Sequence, residues 1–105
     1  MREQLHTSFR ALLVLGTDGQ VRQSQGEAAH IDVLQSLGSS LHALADRSLA
    51  ELGGGRLTRL VIDGEYGRVA LLQAADGSAL VGLLDADAPL GAAFSTLRST
   101  LRNVA

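Results

Sequence analysis

The residues of this chain whose type and spacing could carry chemistry are its aspartates, and backbone requirements explain most of them. Three are followed by glycine, and Asp-Gly between apolar runs marks a hairpin, because aspartate accepts bonds from the turn and glycine adopts positive φ without steric cost. Two more stand where helices are expected to begin. The five are Asp18, Asp63 and Asp76 in turns, and Asp32 and Asp87 at helix starts. No pair of acids has an evident shared apolar pocket, so general acid–base catalysis has no support.

Metal binding and nucleophilic catalysis are equally unsupported. His6, His30 and His42 are isolated at spacings that no metal site uses, and the chain contains no cysteine. Ser39 and Ser40 lie inside a predicted helix, whereas the serine of a G-x-S-x-G motif stands on a strained strand-to-helix turn. We therefore predict no enzyme activity, no catalytic or metal-binding residue and no cofactor.

Composition narrows the range of partners. Nine basic residues against eleven acidic ones give no excess of positive charge for binding nucleic acid. Three aromatic side chains are too few to stack against bases. No stretch approaches the roughly 20 apolar residues of a membrane-spanning helix, and the opening MREQLHTSFRALLVLG lacks a signal-peptide pattern. We expect one domain over residues 1–105, located in the cytoplasm, with no nucleic-acid partner and no membrane insertion.

Five apolar runs around the Asp-Gly pairs predict five strands in two groups, an early hairpin and a later three-stranded meander. The runs are ALLVL, QVRQS, RLTRLVI, RVALLQA and SALVGLLD. Between the groups, leucines at helical spacing from Leu34 to Leu52 predict a long middle helix. Three glycines at 53–55 end it, and Asp32 with Gln35 resembles a capping box at its start.

The two ends of the chain are also predicted to be helical. Apolar residues from Leu90 to Val104 step by four and three, which predicts a final helix that begins near Pro89. Leu5 and Phe9 have i, i+4 spacing, so we expect a short first helix at roughly residues 2–9. The expected element order is therefore helix, hairpin, long helix, three strands and helix, an α+β layer fold.

Small residues interrupt the leucines of the middle helix. They are Gly38, Ser39, Ser40, Ala43 and Ala45. Small side chains let another backbone approach closely, and the apolar residues cover more of the helix than contact with one sheet requires. Either this helix packs closely on the protein's own sheet, or it also meets a second chain. We hypothesise a homodimer that uses this helix.

These segments together resemble the Roadblock/dynein light chain family, particularly its bacterial members. LLVLGTDGQV matches the family's first strand and turn, HIDVLQSLGSSLHALA its helix of small residues and leucines, and LTRLVIDGEYGRVALLQAADGSALVGLLDADAPLG its meander and last-helix start. The resemblance implies αββαβββα order, with a five-stranded antiparallel sheet, the long middle helix on one face and the terminal helices on the other. The first helix is shorter here than in most family members.

The resemblance also implies a homodimer in which the third strands pair edge to edge and the middle helices lie side by side. The paired edge would be residues 57–62, and exposed strand edges are templates for such pairing. The residues expected at this interface are Leu34, Gly38, Leu41, Ala45, Leu57, Arg59 and Val61.

Family members bind Ras-like small GTPases, and in bacteria they accompany a GTPase that governs polarity or motility. The resemblance implies a non-enzymatic homodimeric regulator or scaffold for such a GTPase, acting as activator, exchange scaffold or adaptor. The polar face of the middle helix supplies the partner-facing candidates, which are Ser39, His42, Asp46, Arg47 and Glu51. An alternative is a small-ligand sensor domain of profilin-like or PAS-like architecture, since a sheet flanked by helices can hold a pocket.

Overall fold

A computed structural model describes residues 9–104 as five strands and two helices. In chain order these are β1 Phe9–Leu15, β2 Val21–Gln25, α1 Ala28–Glu51, β3 Arg59–Asp63, β4 Arg68–Gln73, β5 Ala79–Leu84 and α2 Leu90–Val104. This order confirms the α+β class, the hairpin, the meander and both long helices. The predicted first helix lies outside the described residues except for Phe9, which is the first residue of β1 and not helical.

The five strands form one antiparallel sheet in the order β2–β1–β5–β4–β3. The hairpin supplies β1 and β2, and the meander supplies β3, β4 and β5. The two groups join where β1 pairs with β5, for example with Leu13 opposite Val81. Among the described strands, β2 and β3 are therefore the edges of the sheet.

The two helices cover opposite faces of this sheet, and alternate residues of the central strands point to each helix. The core on the α1 side contains Ala11, Leu13, Leu15, Leu34, Leu57, Leu71 and Val81. The core on the α2 side contains Phe9, Leu12, Val14, Ala70, Leu72, Leu80, Leu84, Ala93, Phe94 and Leu97. Because β1 and β5 are covered on both faces, their sequences are almost continuously apolar and do not alternate.

Two of the three Asp-Gly pairs form the predicted turns. The backbone N–H of Gln20 donates to Asp18 Oδ1 at 3.1 Å, and the glycine after Asp18 has φ 81°. At the turn between β4 and β5, Ser78 donates to Asp76 Oδ1 from its hydroxyl at 2.6 Å and from its backbone N–H at 2.9 Å. These bonds from Ser78 hold the pKa of Asp76 below its ordinary value. Asp18 and Asp76 are therefore turn residues, as predicted.

Asp63, in the remaining Asp-Gly pair, has a different role from the one expected. It is the last residue of β3, and its carboxylate accepts a bond from the guanidinium of Arg68, the first residue of β4. The turn itself closes through the N–H of Gly64, which donates to the carbonyl of Gly67 at 2.8 Å. The assignment of Asp63 to the turn is wrong because its side chain joins the ends of two paired strands.

The predicted start of the middle helix is also wrong. α1 begins at Ala28, with Glu27 as its N-terminal flanking residue and no side-chain cap. Asp32 therefore lies one turn inside the helix and cannot cap it. The extra turn brings Ile31 against the core on the α1 side, and this apolar contact stabilises a turn that local capping does not mark. Neither described helix is long and apolar enough to cross a membrane.

Gly82 in β5 tests the packing between the sheet and the α2-side core. A methyl group on Gly82 would lie 2.5 Å from two ring atoms of Phe9. We expect Gly82→Ala to lower the free energy of unfolding by about 1–3 kcal/mol, the usual cost of overpacking. Gly91→Ala in α2 is the control, because a methyl group there meets nothing within 4 Å and alanine favours the helix by up to about 1 kcal/mol. Urea unfolding measures both, and an unchanged Gly82→Ala would contradict this packing.

Candidate protein-interaction surface

Strand β3 leaves half of its backbone hydrogen-bonding groups directed away from the sheet. Thr58 O accepts from Gln73 N at 2.9 Å just before β3, and Gly64 N donates to Gly67 O just after it. In an antiparallel ladder, bonded residues alternate, so the even-numbered residues of this segment bond to β4. The N–H and C=O groups of Arg59, Val61 and Asp63 consequently point toward the free edge, the side of β3 that no other described strand pairs with. Such a row is a template for another strand.

An exposed apolar surface lies beside this edge, on the α1 side of the sheet. Val33 and Leu44 on α1 are 60% and 52% exposed, and Ile62 on β3 is 37% exposed. Leu37 and Leu41 line both the outer groove of α1 and the recess between α1 and β3. We call this the α1–β3 apolar surface, and its residues are Val33, Leu37, Leu41, Leu44, Leu60 and Ile62. It is a continuous strip rather than scattered single side chains, which is typical of an interaction site.

Three residues predicted for a homodimer interface are buried inside this chain. Leu34 is 3% exposed and Leu57 is 4% exposed, both in the core on the α1 side. Gly38 is buried against the sheet, where a methyl group would lie 2.7 Å from Leu15 Cδ1 and 3.0 Å from Val81 Cγ2. Contact with the sheet of the same chain thus accounts for the small residue at 38, and a role for these three positions in a dimer stays a prediction.

The other four predicted interface residues keep some contact with solvent. Leu41 and Ala45 are half-buried on α1, and Val61 is half-buried against the core on the α2 side. Arg59 is exposed on β3, and its guanidinium carbon lies 5.2 Å from the ring centroid of Phe94 in α2. This cation–π contact places the Arg59 side chain on the α2 side of the sheet edge. A role for these residues in a dimer stays a prediction.

The polar candidates on α1 divide into bonded and free-standing side chains. His42 is half-buried and its Nε2 contacts Gln73 Oε1 at the end of β4. Asp46 Oδ1 accepts a bond from the backbone N–H of Leu57 at 2.7 Å. Asp46 therefore anchors the segment between α1 and β3, and its assignment as a partner-facing residue stays a prediction.

The remaining polar candidates, Ser39, Arg47 and Glu51, are exposed on α1. Ser39 faces the β1–β2 turn, since its Oγ is 3.6 Å from where a methyl group on Gly19 would lie. Within residues 9–104 no group of three or more acidic or histidine side chains is placed to hold a metal ion. The arrangement on this side of α1 offers polar recognition, and the structure does not gather the five predicted residues into one cluster.

Sequence reasoning missed the exposed end of the apolar strip. Val33 is absent from the predicted interface residues, although it stands four residues before Leu37 and eleven before Leu44, which places all three on one helical face. Helical spacing alone could have found that stripe. It could not have shown that Leu34 and Gly38 use a different, adjacent face, because two neighbouring apolar faces on one helix give overlapping patterns.

Comparisons with known proteins agree with this fold. A sequence profile of the Roadblock/LC7 domain matches residues 3–84. An uncharacterized protein of Methanocaldococcus jannaschii is 31% identical over 97 residues, which is 91% of this chain and 84% of that protein. The structure of a Roadblock/LC7 domain from Streptomyces avermitilis has a TM-score of 0.85 at 19% identity, covering 99% of this chain and 90% of that one. The gliding protein MglB from Thermus thermophilus has a TM-score of 0.71 at 25% identity, covering 86% of this chain and 71% of that one.

Asp46 and Glu51 are both carboxylates on α1, but Asp46 accepts a backbone hydrogen bond whereas Glu51 is exposed. Asp46→Ala should lower the free energy of unfolding by about 2 kcal/mol, because it leaves the buried N–H of Leu57 without its charged acceptor. Glu51→Ala, the matched control, should change it by less than about 0.5 kcal/mol. Thermal and urea unfolding measure both variants. Equal stability of the two would show that the bond from Leu57 to Asp46 contributes nothing.

Proposed function

The chain belongs to the Roadblock/LC7 domain family, and on that premise we propose that it is a non-enzymatic homodimer that regulates or scaffolds a Ras-like small GTPase in the cytoplasm. The observation that carries the homodimer is the free edge of β3 beside the α1–β3 apolar surface. The GTPase as partner follows from the family resemblance. The two parts of the proposal therefore have separate tests.

A second copy of the chain satisfies both unmet requirements of this surface. Pairing two β3 edges would bond the outward backbone groups of Arg59, Val61 and Asp63, and it would extend the sheet across both chains. The same pairing would bring two α1 helices together on one side, so that Val33 and Leu44 lose contact with water. Removal of apolar side chains from water is the main driving force of most protein–protein association.

The homodimer predicts a mass of twice the chain's 10.9 kDa in light scattering at micromolar concentration. Leu44→Asp should weaken the dimer by about 2 kcal/mol or more, roughly thirtyfold, because a charge would be buried where an apolar contact was. The matched control is Ala43→Asp, which adds the same charge at the neighbouring exposed residue of α1. A monomeric wild-type protein, or equal effects of the two variants, would count against dimerisation through this surface.

The GTPase part of the proposal has support of a different kind. Bacterial members of the family accompany GTPases of polarity and motility, and the likeness to a gliding protein at 25% identity agrees with that association. The exposed side of α1 beside the apolar strip carries Arg47 and Glu51, which are available to a partner while the dimer forms. The nucleotide state in which the GTPase binds this protein would distinguish an activator, an exchange scaffold and an adaptor.

Binding of a small GTPase is tested by affinity capture from the cytosol of the source organism. The tagged protein serves as bait with a GTP analogue, GDP or no nucleotide, and mass spectrometry identifies what is retained. We expect a Ras-like GTPase enriched in one nucleotide state, with Arg47→Glu reducing its recovery and leaving the melting temperature unchanged. Arg98→Glu on α2 is the charge-matched control. Recovery of the bait without any GTPase would contradict this part of the proposal and leave the homodimer standing.

The alternative of a small-ligand sensor is not favoured by the space inside the domain. The cavity between α1 and the β3–β4 strands has a volume of about 10 Å³ and is lined by apolar side chains that include Leu60 and Val69. Ligand pockets typically have about 300–1,000 Å³. The larger recesses, of about 270–380 Å³, are open to solvent: they lie beside Ser39 and His42, beside Arg22 and Asp76, and along the outer groove of α1. A protein surface is the better match to this geometry.

A further inference from the structure

We propose that two copies of β3 pair antiparallel in a single register centred on Val61, which places Arg59 of each chain opposite the partner's Asp63. This inference rests on the proposed homodimer and specifies how its strands align. Hydrogen bonding, apolar contact and charge each bear on the choice among the possible registers.

Symmetry limits the registers that two identical β3 edges can adopt. A two-fold axis perpendicular to the sheet keeps both α1 helices on the same face, as burial of the α1–β3 apolar surface requires. Directly opposite residues then point to the same face, so their sequence numbers differ by an even amount. For a strand of five residues, Arg59–Asp63, the registers with substantial overlap are centred on residue 60, 61 or 62.

Backbone hydrogen bonding favours the register centred on Val61. The groups that point to the free edge belong to Arg59, Val61 and Asp63, because the even-numbered residues bond to β4. Centring on Val61 gives three hydrogen-bonded pairs. Val61 pairs with its own copy, and Arg59 of each chain pairs with the partner's Asp63. Centring on residue 60 or 62 leaves two such pairs within the strand, since one outward residue of each chain then overhangs.

Apolar contact on the α1 side favours the same register. With Val61 at the centre, Leu60 lies opposite the partner's Ile62, and this pair occurs twice beside the α1 stripe. Centring on Leu60 would place Ile62 opposite Thr58, and centring on Ile62 would place Leu60 opposite Gly64. Each of those alignments keeps one apolar pair on this side, Leu60 or Ile62 with its own copy, whereas the register centred on Val61 has two. The 37% exposure of Ile62 in the single chain is the surface that this pairing removes from water.

The charges on the α2 side complete the alignment. Arg59 lies over Phe94 in α2, and Asp63 shares this side of the strand because the two positions differ by four residues. The Asp63 side chain is 62% exposed even while it accepts from Arg68, so its carboxylate can accept a second guanidinium. In the other two registers, Val61 would lie opposite a charged residue, Arg59 or Asp63. Among the five residues of β3, opposite charges face each other only in the register centred on Val61.

Single cysteines test the register directly, because the natural chain has none. Directly opposite residues have Cα atoms about 4.5–5.5 Å apart, within the range that a disulfide spans. V61C should therefore form a disulfide-linked dimer on mild oxidation. L60C and I62C should link at least tenfold less, because each lies diagonal to its own copy, roughly 7–8 Å away. Non-reducing gels quantify all three, and circular dichroism confirms that each variant is folded.

Charge reversal tests the pairing of Arg59 with the partner's Asp63. R59E and D63R should each raise the dissociation constant of their own homodimer at least tenfold, because like charges then face each other twice. A mixture of the two variants restores both opposite-charge pairs and should form a heterodimer of near wild-type affinity. R98E on α2 is the charge-matched control and should leave dimerisation unchanged. Sedimentation at two salt concentrations measures these constants, and the effects should shrink at high salt.

The outcomes separate failure of the register from failure of the homodimer. A wild-type protein that is monomeric in sedimentation overturns the homodimer and the register together. A wild-type dimer in which L60C or I62C links more efficiently than V61C overturns the register and leaves the homodimer. A dimer in which none of the three links, or in which mixed R59E and D63R fail to pair, shows that this edge is not used in the way proposed.

Discussion

The rest of this structure depends on the pairing of β1 with β5 at the centre of the sheet. This pair joins the hairpin to the meander, and it buries two strands on both faces. Apolar strands of this kind need a helix on each side, which is the task of α1 and α2. Gly82 shows how tight the resulting packing is, because the ring of Phe9 occupies the space where a side chain would stand. Once both faces are covered, the open parts of the sheet are its edges.

Helix α1 serves two surfaces, and its composition reflects both. Its inner face is fitted to the sheet, with Leu34 buried and Gly38 admitting the side chains of Leu15 and Val81. Its outer face carries Val33 and Leu44, which are both more than half exposed. A helix needed only to cover a sheet would have a polar outer face. The second apolar face is thus the physical feature that connects the fold to association.

The edge of β3 and the apolar strip of α1 act as one surface because they are adjacent and face the same side. An edge strand alone would be a liability for uncontrolled pairing. Here charged residues stand at both ends of β3, Arg59 at the start and Asp63 at the end, and they make some alignments unfavourable. In the proposed homodimer these charges add to the backbone and apolar contacts that favour one register, and a single register limits edge pairing to two chains.

The sequence by itself determined the elements and their types, because turn chemistry and apolar periodicity are local. Asp18 and Asp76 form the turns that their following glycines indicate, and the leucine spacing produces both long helices. The sequence did not determine the start of α1, where contact of Ile31 with the core outweighs the capping signal at Asp32.

Only the tertiary structure decided which face of α1 meets the sheet and which remains open. It also decided that β1 lies beside β5, and that Asp46 bonds the backbone of Leu57. Each of these contacts joins segments that are distant along the chain or compete for one helix face. Local patterns contain no information that ranks such contacts. Their free energies depend on how all the surrounding side chains pack at once.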